Sequence, residues 1–140
     1  MDSVKIVIFD EEDLTQTLIQ NYLKEVIFPY ELEKYNDFDV DLLNNYNGYQ
    51  IVIANLNTYN THILDKISEY SNSKKIFFLI ISYNTSTDLQ VKALRNGVKD
   101  YIVKPLLKAD FVYSIQQIYK HYISEQNDRP SCKIYSIYSP

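Results

Sequence analysis

The chain has 140 residues, enough for one domain with a real core, and 46% of them are hydrophobic against 23% charged. That balance excludes a disordered chain, and a net charge of −4 leaves no basic excess for nucleic acid or an anionic membrane. The longest purely apolar run, Ile76–Ile81, is far short of the roughly twenty residues of a membrane span.

The N-terminus, Met1-Asp2-Ser3-Val4-Lys5, has no secretion-signal pattern, and the single cysteine, Cys132, excludes an intrachain disulfide framework. Both point to a reducing cytoplasm. In chain order, the apolar runs Val4–Phe9, Ile51–Ala54, Ile76–Ile81 and Tyr101–Val103 are rich in Ile, Val and Phe and do not alternate. They are expected to be strands buried on both faces. A more polar strand is predicted over Tyr30–Tyr35.

Helical periods lie between these runs. Leu14, Leu18, Tyr22 and Val26 mark the first helix, and Leu42 and Leu43 a second, capped at Asn36 or Asp37. Ile63, Leu64 and Ile67 mark a third. A fourth is expected to start at Thr87 with the box Thr87-x-x-Gln90 and to stop at Gly97. Phe111, Ile115, Ile118, Tyr119 and Tyr122 form one stripe on a fifth. Strand and helix thus alternate five times, which predicts an α/β, flavodoxin-like five-stranded parallel sheet of order 2-1-3-4-5 with helices on both faces. Residues 1–123 form this domain, 124–131 a polar linker containing Pro130, and 132–140 a strand-like tail.

Ligand sites in such sheets lie beyond the carboxyl ends of the strands. Those ends carry Asp10, Glu11, Glu12 and Asp13, then Asn55, then Ser82 and Tyr83, then Lys104-Pro105. Four carboxylates would repel the anion of a dinucleotide or flavin phosphate, so cofactor sites of that kind are excluded. Part of the acidic run would serve equally as a helix first turn. Ser82 with Lys104 lacks the Gly-x-Ser-x-Gly elbow of a hydrolase, and His62, His121 and Cys132 are too far apart to write a zinc pattern.

The stretch Lys92-Ala-Leu-Arg-Asn-Gly-Val-Lys-Asp-Tyr-Ile-Val-Lys-Pro105 resembles the fourth-helix and fifth-strand signature of response-regulator receiver (CheY-like) domains, and the likeness spans residues 4–123. The resemblance implies that Asp10 and Glu11 stand at the magnesium-binding acidic pair and Ser82 at the hydroxyl that reads a phosphoryl group. Lys104 would be the invariant lysine before a cis Pro105, and Tyr101 the aromatic switch position. Asn55, however, stands where the phosphoaccepting aspartate would be. An amide is neutral, its nitrogen lone pair is delocalised, and it cannot attack phosphorus as a carboxylate does. Its neutrality also weakens any Mg2+ site, while Lys104 is expected to donate to the Asn55 side-chain oxygen. Tyr83 departs from the family's small residue and is expected to block the entrance.

The resemblance therefore implies a non-enzymatic pseudo-receiver acting by protein–protein interaction, needing no cofactor beyond weakly held Mg2+. A homodimer face is expected on the fourth helix, fifth strand and fifth helix. The tail Lys133–Pro140 resembles the first strand of MinD/ParA-type ATPases of the septum-site and pilus-assembly kind, which implies a fused ATPase partner. The alternatives are a phosphorylatable regulator using Mg2+ and a small-ligand-binding flavodoxin-like module.

Overall fold

A computed structural model describes residues 3–57, 59–70 and 72–124. The linker beyond Ser124, the tail and Cys132 lie outside the described residues. Five strands, β1 (Val4–Phe9), β2 (Tyr30–Tyr35), β3 (Gln50–Asn55), β4 (Ile76–Ser82) and β5 (Asp100–Val103), form one parallel sheet of order β2-β1-β3-β4-β5. Among the described residues four α-helices accompany them: α1 (Asp13–Tyr22), α2 (Ile63–Glu69), α3 (Thr87–Arg95) and α4 (Lys108–Ile118).

The central strands are apolar at consecutive positions because both sheet faces are covered. Ile6, Ile8, Ile51, Ile53, Leu79 and Ile81 pack with Ile19 and Leu23 at the α1 side and with Phe111, Ile115 and Ile118 of α4. Val7, Phe9, Val52, Ala54, Phe78 and Ile80 pack on the other face with Ile63, Leu64 and Ile67 of α2 and Ala93 of α3. The tyrosines of the last stripe belong to this packing. Tyr119 stacks on Phe28 with centroids 4.1 Å apart, and Tyr122 on Phe77 at 5.1 Å, whereas Tyr113 is exposed. Beyond Ile118 the chain widens into a π-helical turn, Tyr119–Ser124.

Three local expectations are corrected. The second helix is a 3-10 segment, Val40–Asn45, capped by Asp39, whose carboxylate accepts from the Asp41 N–H at 3.0 Å. Asn and Asp crowd this stretch and compete for backbone hydrogen bonds, which disfavours a full α-helix. Of the stripe expected on the first helix, Leu18 and Tyr22 pack against the core, as does Val26 beyond the end of α1, but Leu14 is 81% exposed. The most buried positions of α1 are Thr15, Gln16 and Ile19. The cap of α3 is Ser86, whose Oγ accepts from the Leu89 N–H, so Thr87 is the first helical residue and Gln90 reaches back to the Thr85 carbonyl. Gly97, at φ 100°, ends that helix in the region open to glycine, as its position predicted. Among the described residues no helix is long and apolar enough to cross a membrane.

Candidate functional site

The parallel strands deliver their carboxyl ends to one edge of the sheet, and a cavity of about 380 Å³ opens there. Glu11 and Glu12 line it from the end of β1, and Asn55, Leu56 and Asn57 from β3. Ser82, Tyr83 and Asn84 line it from β4, and Lys104 from β5. Asp10 sits beneath, 1% exposed. Asp10, Glu11, Glu12, Asn55, Ser82, Tyr83 and Lys104 are therefore gathered at one place, whereas Asp13 opens α1 outside the lining and Tyr101 stands beside the cavity.

Asp10 is fixed from three sides. Gln16 Nε2 donates to its carbonyl at 2.6 Å and to the Tyr35 carbonyl at 3.1 Å, tying the ends of β1 and β2 together. The Glu12 N–H donates to Oδ1 at 2.9 Å, and Lys104 Nζ donates to Oδ2 at 2.7 Å. Lys104 arrives on the short loop that follows β5 and is joined to Pro105 by a cis peptide. A second ion pair, at 3.0 Å, links its ammonium to Glu12 Oε1.

The expected bond from Lys104 to Asn55 is absent: Asn55 Oδ1 is buried without a hydrogen-bond partner. Two carboxylates hold the ammonium instead, and an ion pair with a carboxylate is stronger than an ammonium bond to a neutral amide. Glu12, which sequence reasoning left among the helix-start carboxylates, is the second partner. It is the residue just before α1, and its Oε1 also accepts from the Thr15 hydroxyl at 2.8 Å and from the Tyr83 hydroxyl at 3.2 Å. These bonds, that of Thr15 foremost and those of Lys104 next, hold its carboxyl below the usual glutamate range. The signal that could have found it is the Glu12-x-x-Thr15 spacing, one helical turn across the start of α1. Glu11 is exposed on the rim.

Tyr83 is 61% exposed, and its ring lies against the lysine with the centroid 4.8 Å from Nζ. Ser82 is fully buried, and its hydroxyl donates to the Leu56 carbonyl while accepting from the Asn84 N–H at 3.0 Å. The Tyr101 ring packs against the α2–α3 face, and its hydroxyl donates to the Asn84 carbonyl at 2.8 Å. The loop from β4 to α3 is thereby pinned from below and from the side.

The donor set suits a magnesium ion poorly. Such an ion wants near-octahedral oxygen ligands, commonly from carboxylates and phosphate. Of the expected pair, Asp10 has an oxygen on the ammonium and Glu11 stands on the exposed rim, while Glu12 is also paired to Lys104 and Asn55 offers a neutral oxygen. Among the described residues no three acidic, histidine or cysteine side chains are grouped to hold a metal.

No protein-family model and no curated protein sequence matches the chain. Solved structures do. The signal receiver domain of an HD-domain-containing protein from Pseudomonas fluorescens Pf-5 superposes with a TM-score of 0.74 at 19% identity, covering 91% of this chain and 94% of that one. A response regulator from Thermotoga maritima gives 0.73 at 16% identity, covering 85% and 99%. A structure from Burkholderia thailandensis whose name links it to pilus assembly gives 0.69 at 15% identity, covering 84% and 99%. The fold is that of response-regulator receiver domains.

Proposed function

We propose that this chain is a non-enzymatic signal-receiver module that works without aspartyl phosphate, by protein–protein contact. The observation that carries the reading is the Asn55 amide at the end of β3, lining the same cavity as Ser82 and Lys104. The pocket has the layout of a phosphoryl site, yet the side chain at the acceptor position has no nucleophilic oxygen. The acidic pair, lysine, hydroxyl and aromatic expected from the family resemblance lie at or beside this cavity, which supports carrying the roles over residue by residue.

The output face on this reading is formed by α3, β5 and α4, where Val91, Leu94 and Tyr113 are exposed. A second copy of the chain or an attached partner would bind there. The attached partner we favour is a MinD/ParA-like ATPase in a bacterial cytoplasm. The resemblance of residues 133–140 to that family's first strand supports it, as does the likeness to a structure named for pilus assembly. A switch without phosphate requires a partner that binds one conformation more tightly than another.

Incubation with acetyl phosphate and Mg2+, followed by intact-mass measurement, tests the central claim. The expected spectrum is unchanged. A gain of one phosphoryl group, labile to hydroxylamine, would establish the phosphorylatable regulator instead.

A further inference from the structure

An ammonium group carries three hydrogen-bond donors. Around Lys104, Asp10 Oδ2 at 2.7 Å and Glu12 Oε1 at 3.0 Å accept from the ammonium, and the face of the Tyr83 ring covers a further side with its centroid at 4.8 Å. The closure extends through the cavity. Ser82 is engaged with Leu56 and Asn84, and the Asn84 side-chain oxygen accepts from the Ser86 N–H at 2.8 Å. The buried side-chain atom left without a partner here, Asn55 Oδ1, is an acceptor. An incoming oxyanion would find the Lys104 ammonium paired and covered, the Ser82 hydroxyl engaged, and two glutamates beside them.

We propose that Glu12 and Tyr83 form a latch that closes the Lys104 site against oxyanions, whatever residue stands at position 55. The inference rests on the receiver-type reading of the pocket and concerns the regulation of that same pocket. The latch has one fixed arm and two movable ones. Asp10 is buried and tied by Gln16 and the Glu12 N–H, which fix the position of its pair with Lys104. The Glu12 side chain is 42% exposed, and the Tyr83 hydroxyl reaches its two oxygens only at 3.2 and 3.4 Å. Such exposed contacts are individually weak. A partner that draws Tyr83 outward would release the ring and hydroxyl together and leave ammonium donors facing the cavity. Opened in this way, Lys104 and the β4–α3 loop would form a site for a phosphate-sized oxyanion.

The test is a titration of inorganic phosphate into the full chain and three variants, Tyr83→Leu, Glu12→Gln and Glu11→Gln. Ionic strength is held constant with chloride, and the amide signals of residues 82–86 and 104 are followed by NMR. Tyr83→Leu leaves the net charge unchanged, and Glu11→Gln removes a rim charge that the latch does not use. Both latch substitutions are at exposed side chains, and the spectra themselves report folding. Phosphate is expected to bind Tyr83→Leu and Glu12→Gln about tenfold or more tightly than it binds the parent or Glu11→Gln. Equal affinities in all four proteins would overturn the latch, as would an equal gain in Glu11→Gln, which would be a general charge effect.

Asn55→Asp separates the latch from the reading it rests on. With acetyl phosphate, this variant should react at least about tenfold faster once Tyr83→Leu is added. Fast reaction of Asn55→Asp alone would overturn the latch and leave the missing-acceptor reading intact. Phosphorylation of the parent chain would overturn that reading, with the phosphate titration still deciding the latch.

Discussion

Lys104 and Asp10 are 5% and 1% exposed, so the pair between them is buried. Lys104→Met should destabilise the protein by about 3–5 kcal/mol, because it leaves the Asp10 carboxylate buried and unpaired. Urea unfolding at neutral pH measures the loss. Away from the cavity, Glu33 accepts from Lys5 at 2.8 Å and from the Tyr35 hydroxyl at 2.7 Å. Those two bonds, the lysine's first, hold its carboxyl below the ordinary range, as Thr15 and Lys104 do for Glu12. Groups whose folded pKa is depressed bind fewer protons than in the unfolded chain, so stability rises with pH through that window. The contribution is fully present above the ordinary glutamate value of 4.5 and is lost as pH falls through the lower folded values. Both side chains reach water, which keeps the effect modest. In denaturant titrations, Glu33→Gln should flatten the acid limb between about pH 5 and 3. Asn55, Ser82 and Lys104 were legible as candidate residues because each ends or directly follows a strand. Glu12 was not, because four neighbouring carboxylates are chemically alike until the helix start decides which one turns inward.

The elements were legible to the extent that their burial pattern is one-dimensional. Runs such as Ile76–Ile81 identify themselves as strands covered on both faces, and the core clusters bear this out. The helix faces were harder. Residues spaced by four drift about 40° per step around an ideal helix, so Leu14 stands about 140° from Ile19 and faces out. At the start of α3, Ser86 and Thr87 are both good caps, and only the extended backbone of Ser86 selects it. Ser86→Ala should therefore lower stability by about 0.5–2 kcal/mol, while Thr87→Ala changes it by no more than a few tenths. Paired thermal unfolding curves of the two variants distinguish them, and the opposite ranking would reassign the cap.

At the scale of the whole molecule, stability is unevenly spread. Strands β1, β3 and β4 are flanked on both sides within the sheet and nearly wholly buried, while β2 and β5 form the edges and are half-exposed. Amide hydrogen exchange should be slowest in the three central strands, approaching the global unfolding free energy, and faster in β2 and β5. Uniform protection across all five would contradict that gradient. The sheet order also turns strand-end chemistry into a site, since parallel strands bring residues 10, 55, 82 and 104 to one edge. By itself the sequence determined the α/β class and the residues at the strand ends, because hydrophobic period and strand ends are local properties, while the sheet order was expected only from the general rules for connecting parallel strands. The tertiary structure decided which partners those residues take. Competition for the Lys104 ammonium is settled by distances across separate segments of the chain, and no local pattern encodes such distances.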